Sequence, residues 1–242
     1  LTEMESRGIN PLFSFQVDNP LAPVCDAQFL GYHLQAESEL TSLAIAKQAP
    51  GEKVGNFAMI DDRLHVIEYS DLPDDVAEKR DAQGALEFWA GSIAIHAFER
   101  KLFERAQSIS TTLPYHIAKK KVPFLPPGGE RVEPTEPNAL KFERFIFDLL
   151  PAAKKTIVVE FAEAECFAPL KNAPGAPKDT EEYVQQMMCD QHRRWLEAVG
   201  ATVAVDARIE ISPLFALDQQ AVAERVEAGQ SFDTDQYLNE QQ

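Results

Sequence analysis

The strongest constraint on the fold of this chain comes from two alternating segments that are joined by a pair of acids. Apolar and polar side chains alternate through residues 54–60 and again through residues 63–69, as they do in strands with one buried face. Asp61 and Asp62 fill the turn between the two segments. This pattern predicts a β-hairpin, and we therefore expect a sheet that is not purely parallel.

Buried strands and helices alternate through the first two thirds of the chain. Apolar runs at residues 10–21 and 156–161 predict buried strands, and residues 40–49 fit either a strand or the end of a helix. Spacing and charge patterning predict four helices, over residues 72–81, 95–107, 138–150 and 180–199. The alternation favours an α/β fold with a mixed sheet.

The C-terminal part carries clear helix signals and has a polar end. Thr180 fits the N-cap of an amphipathic helix that runs through Val199, and Gly200 fits the residue that ends it. The acidic tail from Gln219 predicts one surface helix followed by disorder. We expect one large domain with a smaller C-terminal region.

The charge balance limits the partners of this chain. It has 39 acidic and 23 basic residues, a formal net charge of −16. This balance argues against non-specific nucleic-acid binding, which needs a basic surface. An acidic protein can bind a polyanion only through a local concentration of Lys, Mg²⁺ or backbone N–H groups. A phosphate site should therefore stand out locally.

The chain has no feature typical of a membrane or secreted protein. No apolar stretch approaches the ~20 residues that a membrane helix needs, and the first residues lack the basic and apolar regions of a signal peptide. Three cysteines that lie far apart do not form a disulfide framework, so the cytoplasm is the expected compartment. The first residue is Leu1 rather than Met, and we expect the gene product to begin upstream.

Asp18 is the first candidate for a functional residue. It follows the apolar positions Phe13, Phe15 and Val17 of a predicted strand, and ligands of open α/β sheets bind beyond the carboxyl ends of strands. A carboxylate there can bind Mg²⁺, which takes oxygen ligands and shares them with substrate phosphates. The alternative is that Asp18 and the two residues after it simply end the strand in a turn.

Lys141 and Lys171 stand in sequence on either side of the strand predicted at residues 156–161. Each can place an ammonium on a phosphate, and each can equally be a solvated surface lysine. Lys171 stands between an apolar patch and a Pro- and Gly-rich loop, and such loops often carry function. The histidines and cysteines form no metal-ligand spacing, and nucleophile-elbow and Gly-rich phosphate motifs are absent from the sequence.

Seven short segments add information that the pattern alone lacks. They are residues 16–21 (QVDNPL), 54–55 (VG), 66–70 (VIEYS), 90–94 (AGSIA), 119–123 (KKKVP), 138–143 (NALKFE) and 169–173 (PLKNA). In order and spacing they resemble the eukaryotic-type UDP-N-acetylglucosamine pyrophosphorylases and the related UDP-sugar pyrophosphorylases. The resemblance continues through residues 211–214 and so covers most of the chain.

The resemblance implies a fold and a domain organisation. Residues 1–165 would be the C-terminal, sugar-binding part of an α/β nucleotidyltransferase domain with a mixed, Rossmann-like sheet. Residues 166–242 would be a small C-terminal region with a helix and the acidic tail. The family's Gly-rich nucleotide loop belongs to an N-terminal half that is not in this sequence. The resemblance therefore implies that the chain needs that missing half as a partner and is inactive alone.

The resemblance also implies roles for the phosphate-binding candidates. Asp18 would bind Mg²⁺ and the UTP phosphates, Lys141 would contact the UTP phosphates, and Lys171 would contact the sugar phosphate and the reacting phosphoryl centre. The reaction would be an in-line displacement, in which a sugar phosphate oxygen attacks the α-phosphorus of UTP and pyrophosphate leaves. Catalysis would come from positioning and from charge stabilisation, without a covalent enzyme nucleophile.

Four residues would line the sugar pocket by the same resemblance. Gly55, Glu68 and Tyr69 would border it, with Glu68 accepting hydrogen bonds from sugar hydroxyls. Ser92 stands where N-acetylglucosamine enzymes of this group tend to carry Asn. N-acetylglucosamine 1-phosphate is the first candidate substrate. Glucose or galactose 1-phosphate, which Ser92 leaves open, and a non-catalytic domain of the same fold are the alternatives.

Overall fold

The computed structural model describes residues 1–108 and 113–240, which form two compact units. The first unit comprises Leu1–Ser14 and Ala27–Val159, and the second comprises Phe15–Asp26 and the chain from Glu160 onward. The strands are β1 Leu12–Ser14, β2 Leu40–Ala46, β3 Gly55–Ile60, β4 Arg63–Ile67, β5 Ala90–Phe98, β6 His116–Lys120, β7 Ala139–Glu143, β8 Thr156–Glu160, β9 Thr202–Val203, β10 Ile209–Ile211, β11 Ser231–Phe232 and β12 Gln236–Leu238.

The helices are short, with one exception. They are α1 Thr2–Ser6, α2 Ala27–Gln35, α3 Asp74–Ala77, α4 Arg100–Ser108, α5 Glu163–Cys166, α6 Glu181–Ala198 and α7 Gln219–Ala223, together with a 3-10 helix over Ile146–Ala152. Within the described ranges, none of them combines the length and the apolar character that crossing a bilayer requires.

The first unit is built on a six-stranded sheet with the order β4-β3-β5-β2-β8, in which β1 also pairs with β5. β5 is the central strand, and β1, β2 and β3 all pair with it in antiparallel fashion. The Lys155 carbonyl accepts from the N–H groups of Glu39 and Leu40, so β2 and β8 start together and run in the same direction. The predicted α/β fold with a mixed sheet is confirmed.

The predicted hairpin is present as β3 and β4, which pair along their length in antiparallel fashion. Asp61 and Asp62 have positive φ angles of 49° and 58°. A two-residue turn with positive φ at both positions matches the right-handed twist of the strands it joins. Aspartate tolerates this region because its short side chain can bond the local backbone. The two acids therefore fix the turn and the register of the hairpin.

Three other predicted segments can be compared directly with the structure. Residues 40–49, which fitted a strand or a helix end, form the strand β2 as far as Ala46. The strand predicted at residues 156–161 is β8. The helix predicted at residues 72–81 is shortened to the single turn α3.

One face of the sheet carries the core of the first unit. Leu40, Ala44, Phe57, Leu64 and Phe98 of four strands pack there against Leu102 of α4 and against Phe147 and Leu150 of the 3-10 helix. At the start of β2, the Glu39 carboxylate accepts two hydrogen bonds from Arg105, at 2.9 and 2.5 Å, and one from the Lys154 N–H at 2.6 Å. Glu39 thereby ties β2 to α4 and to the segment before β8.

Two predicted helices are wrong in whole or in part. Residues 138–150 form β7 and then a 3-10 helix, because β7 pairs along its length with β6. Residues 95–98 belong to β5, and the helix begins at Arg100. Ile95 and Phe98 are buried in the central strand, and a short apolar run does not distinguish such a strand from a buried helix.

The strand predicted at residues 10–21 is confined to β1. Beyond it the chain leaves the sheet, and residues 15–26 belong to the second unit. Asp18 therefore lies in a turn and not directly after a strand, and the Asn19 N–H donates to the Gln16 carbonyl at 3.3 Å in the same turn.

The second unit is organised by α6 and two small parallel ladders. α6 begins as predicted, with the Thr180 hydroxyl accepting from the Tyr183 N–H at 3.3 Å, and Gly200 follows it with a φ of +88°. β9 pairs with β11 and β10 pairs with β12. The expectation of disorder after the tail helix is wrong for these strands, because Phe232 and Leu238 are buried in the core of this unit. The last two residues of the expected tail lie outside the described residues.

Candidate functional site

Three of the predicted sugar-pocket residues converge on one face of the first unit's sheet. Gly55 on β3 lies opposite Ser92 on β5 in the strand register. A Cβ atom at Gly55 would lie 2.6 Å from Val66 Cγ1, 3.4 Å from Ser92 Cβ and 3.8 Å from Glu68 Oε1. Only glycine fits there without displacing Val66. We call the space bordered by Gly55, Ser92 and Glu68 the β3–β5 cradle.

Ser92 contributes a buried hydroxyl to the cradle. Its side chain belongs to a residue that is 6% exposed, and its Oγ has no hydrogen-bond partner among the residues that the structure describes. A buried hydroxyl without a partner costs free energy, and a polar group of a ligand can remove that cost. Tyr69, the fourth predicted residue, directly follows Glu68 and is 46% exposed.

Glu68 is a carboxyl in an unusual electrostatic setting. Burial raises its pKa above the ordinary value, and His116 acts in the opposite direction. The negative charges of Asp71, Glu143 and Asp148 add to the increase in pKa. A carboxyl that burial and specific charges perturb together is a candidate for a binding group.

Lys141 and Glu68 are linked through Glu143, with which both interact. The Nζ of Lys141 lies 2.8 Å from Oε1 of Glu143 on the same strand, and Glu143 is one of the charges that act on Glu68. His116 stands opposite Glu143 in the β6–β7 register, and its Nε2 lies 2.9 Å from Asp148 Oδ2. Lys141 and Glu68 therefore border one cluster of charged side chains.

Sequence reasoning misses His116, Glu143 and Asp148 as members of this cluster. The reason is the incorrect helix over residues 138–150, which hides the pairing of β6 with β7. A strand assignment for residues 139–143 would have placed Glu143 beside His116. The available signal was the alternation in that segment, and its helical spacing obscured it.

In the second unit, Asp18 and Lys171 are brought together by backbone contacts. The Leu170 N–H donates to the Asp18 carbonyl at 2.7 Å. The side-chain amide of Asn19 donates to the Cys166 carbonyl at 2.8 Å. The turn that carries Asp18 is therefore held against the segment that leads to Lys171.

Lys171 is exposed, and its backbone is fixed by Asp179. The N–H groups of Lys171 and Asn172 donate to the Asp179 carbonyl at 3.0 and 2.9 Å, which closes the Pro- and Gly-rich loop. Asp179 has a φ of +62°, an uncommon conformation for a residue other than glycine. Its Oδ1 is buried and has no hydrogen-bond partner among the described residues. No sequence pattern marks such a carboxylate oxygen, so sequence reasoning misses it.

Asp18 meets a basic requirement of the predicted Mg²⁺ role. Its Oδ1 is buried and lacks a hydrogen-bond partner in the described part of the chain. Mg²⁺ is usually held by one or two carboxylates together with substrate phosphates. Among residues 1–108 and 113–240, no group of three or more His, Cys, Asp or Glu side chains could hold a metal. A metal ion at Asp18 would therefore take most of its further ligands from phosphate oxygens and water.

Comparisons with known proteins agree over almost the whole chain. The family model described as UTP–glucose-1-phosphate uridylyltransferase matches residues 1–233. The chain is 39% identical over 202 residues to UDP-N-acetylhexosamine pyrophosphorylase-like protein 1 of Xenopus tropicalis, covering 83% of this chain and 39% of the frog protein. It is 35% identical over 214 residues to the UDP-N-acetylglucosamine pyrophosphorylase of Saccharomyces cerevisiae, covering 87% of this chain and 45% of the yeast protein.

A solved structure is similar over the same extent. The crystal structure of a candidate UDP-N-acetylglucosamine pyrophosphorylase from Entamoeba histolytica superimposes with a TM-score of 0.87 at 30% identity. The similarity covers 98% of this chain and 58% of that chain. The chain thus spans less than half the length of the frog and yeast relatives.

Proposed function

The chain belongs to the UTP–glucose-1-phosphate uridylyltransferase family, and we propose that the protein containing it joins a sugar 1-phosphate to the uridylyl group of UTP. The products are a UDP-sugar and pyrophosphate, and the proposed acceptor is N-acetylglucosamine 1-phosphate. The observation that carries this proposal is the β3–β5 cradle, in which a close backbone, a buried hydroxyl and a carboxyl meet. The names of the frog and yeast relatives support the class of sugar.

The cradle suits a sugar ring with several polar substituents. Glu68 would accept hydrogen bonds from ring hydroxyls, and the Oγ of Ser92 would bond one further substituent. Glycine at position 55 would keep Val66 in place at the edge of the cradle, because a Cβ there would displace it. Tyr69 would cover an exposed side of the ring.

Asp18, Lys141 and Lys171 are the proposed phosphate-binding residues. A phosphate oxygen of the sugar 1-phosphate forms a bond to the α-phosphorus of UTP, and the P–O bond to the β-phosphate breaks with its electron pair on the leaving pyrophosphate. Lys171 would stabilise the charge on the sugar phosphate and on the reacting group, and Lys141 would orient the UTP phosphates. Mg²⁺ held by Asp18 would supply neutralisation of the phosphate charge.

The nucleotide-binding half is proposed to lie in a further part of the same protein. The chain covers 39% and 45% of the frog and yeast relatives, which supports a longer functional polypeptide. We propose that this chain alone does not turn over substrate and that the other half is its partner. The proposed compartment is the cytoplasm, in keeping with three free cysteines.

A second candidate acceptor is glucose 1-phosphate or galactose 1-phosphate. The observation that favours it is the small Ser92 side chain at a position where the N-acetylglucosamine enzymes tend to carry Asn. A serine hydroxyl can bond a ring hydroxyl as well as an acetamido group. The chemistry of the transfer is the same with either acceptor.

The test is an assay of pyrophosphate release by the full-length protein with UTP, Mg²⁺ and a panel of sugar 1-phosphates. The highest kcat/KM is expected with N-acetylglucosamine 1-phosphate. A preference for glucose or galactose 1-phosphate would favour the second candidate. Absence of pyrophosphate release with every sugar would exclude both.

A further inference from the structure

We propose that Lys47 and Asn56 form a buried pair that positions the β3–β5 cradle from the opposite face of the sheet. As a statement about sugar binding, this inference rests on the proposed function. Its structural content, that the pair holds the backbone directly before Gly55 and Glu68, is independent of that function.

Lys47 is a buried lysine whose ammonium is held by neutral oxygens. The residue is 7% exposed and follows the end of β2, where its N–H donates to the Trp89 carbonyl at 2.8 Å. Its Nζ donates to Asn56 Oδ1 at 2.5 Å and to the Pro50 carbonyl at 3.0 Å. Burial lowers the pKa of Lys47, and Glu52 opposes this effect. A buried ammonium is costly, so its contacts are expected to serve a definite purpose.

The hydrogen bond from Lys47 fixes the orientation of the Asn56 side chain. Because the Asn56 oxygen faces the ammonium, its Nδ2 faces away from Lys47. Nδ2 lies 3.4 Å from the Val54 carbonyl and 3.3 Å from the Ile67 carbonyl. Asn56 is 1% exposed, so water does not compete for these contacts.

These two carbonyls belong to the residues that precede the cradle residues on both strands. Val54 precedes Gly55, and Ile67 precedes Glu68. The amide of Asn56 thus bridges the backbone at the start of β3 to the backbone at the end of β4. That bridge adds to the β3–β4 ladder, in which Asn56 is already paired with Ile67, and so helps to hold the spacing of Gly55 from Glu68.

The pair lies behind the cradle and does not line it. Successive side chains of a strand point to opposite faces, so Asn56 points away from the face on which Gly55 borders Ser92. Asn56 stands opposite Gly91 in the register, and a Cβ at Gly91 would lie 3.2 Å from Lys47 Cγ. Lys47 and Asn56 therefore act on the cradle through the backbone and are positioning residues.

The kinetic test compares Lys47→Met with Lys53→Met in the full-length protein. Methionine keeps the length and the apolar stem of Lys47 but removes its N–H donors. We expect KM for the sugar 1-phosphate to rise about tenfold, the scale of a small misplacement of binding groups, with KM for UTP unchanged. Lys53→Met, an exposed change on the same connection, should leave both KM values unchanged.

Asn56→Asp separates the two functions of the amide. Aspartate keeps an acceptor for Lys47 and removes the donor that faces Val54 and Ile67. The same selective rise in KM for the sugar is expected, at a melting temperature close to that of the wild type. Equal changes in both KM values, or no change in either variant, would overturn the proposal.

Hydrogen exchange provides a measurement that does not depend on turnover. In Lys47→Met we expect faster amide exchange in residues 54–56 and 67–69 than in the wild type or in Lys53→Met, with β8 unaffected. Unchanged exchange in these two segments would refute the positioning role, even if the full-length protein released no pyrophosphate. The failure of the proposed function is thereby distinguished from the failure of this inference.

Discussion

At the scale of single residues, Ser92, Glu68 and Asp179 are common residue types in settings that cost free energy. Ser92 Oγ and Asp179 Oδ1 are buried without a hydrogen-bond partner among the described residues, and Glu68 has a raised pKa. Proteins retain such costs mainly where function requires them. The three residues therefore mark the places where substitution should separate activity from stability.

Lys171 should affect catalysis far more than stability. Its side chain is exposed, so Lys171→Met in the full-length protein should leave the melting temperature unchanged. Loss of the proposed phosphate contact should lower kcat/KM by about 100-fold. Steady-state kinetics on this variant and on Lys178→Met, at the other end of the same loop, provide the comparison. Wild-type kcat/KM in Lys171→Met would contradict the assigned role.

Glu68 should reduce the stability of the full-length protein at high pH. Because folding raises the pKa of Glu68, ionising this carboxyl costs more free energy in the folded protein than in the unfolded protein. The folded protein therefore keeps its full stability below the pKa of the unfolded state and loses part of it as the pH rises through the pKa of the folded state. Glu68→Gln removes that loss. We expect its melting temperature to exceed that of the wild type by on the order of 2 °C at about pH 8, and to equal it at about pH 4.

One further measurement and one control variant accompany the Glu68→Gln experiment. The variant should show a higher KM for the sugar 1-phosphate, because an amide replaces an acceptor carboxylate. Glu78→Gln, on the exposed side of the chain after α3, is the control and should change neither quantity. Equal melting temperatures of Glu68→Gln and wild type at about pH 8 would show that burial does not penalise the Glu68 charge.

At the scale of elements, the sheet of the first unit depends on the hydrogen bonds of one carboxylate as well as on its apolar core. Glu39 joins β2, α4 and the segment before β8 through contacts with Arg105 and Lys154. Burial alone would raise the pKa of Glu39, but these contacts hold it below the ordinary value. The contribution of Glu39 to stability is therefore present at neutral pH and is lost as the pH falls through the depressed pKa.

Glu39→Gln should destabilise the first unit by about 2 kcal/mol at neutral pH, because Arg105 loses a charged partner in a largely buried site. Urea unfolding of the full-length protein measures the change. Glu133→Gln removes the partner of Arg131 in an exposed ion pair of the same unit and should cost about 0.5 kcal/mol or less. Equal costs for the two variants would argue against Glu39 as the tie between these elements.

Elements with local signals could be predicted from the sequence, and those set by distant pairing could not. The hairpin at Asp61 and the start of α6 at Thr180 depend on neighbouring residues, so both are confirmed. β7 and the C-terminal half of β5 are strands because of partners far along the chain, and their apolar spacing alone suggested helices. The same limit hid Glu143 and His116, whereas Glu68 and Ser92 were found through the family resemblance.

At the scale of the whole molecule, the site residues are divided between the two units. Gly55, Glu68, Ser92 and Lys141 belong to the first unit, and Asp18 and Lys171 belong to the second. This chain covers less than half of the frog and yeast relatives. The activity proposed here therefore belongs to the longer protein.

The isolated chain should release no pyrophosphate above background, whereas the full-length protein should be active. The reason is that the proposed nucleotide-binding half is absent from the isolated chain. A coupled assay with UTP, Mg²⁺ and N-acetylglucosamine 1-phosphate compares the two at equal concentration. Turnover by the isolated chain would show that these 242 residues contain a complete active site.

The second unit takes residues 15–26 from near the start of the chain, and this has a consequence for biosynthesis. Asn19 bonds with Cys166 and Ala168 across sequence separations of 147 and 149 residues. During translation, the turn that carries Asp18 leaves the ribosome long before its binding partners have been made. The Asn19 side chain cannot reach Cys166 and Ala168 until most of the first unit has emerged. Chaperones that bind the nascent chain in that interval are therefore expected to raise the yield of native protein.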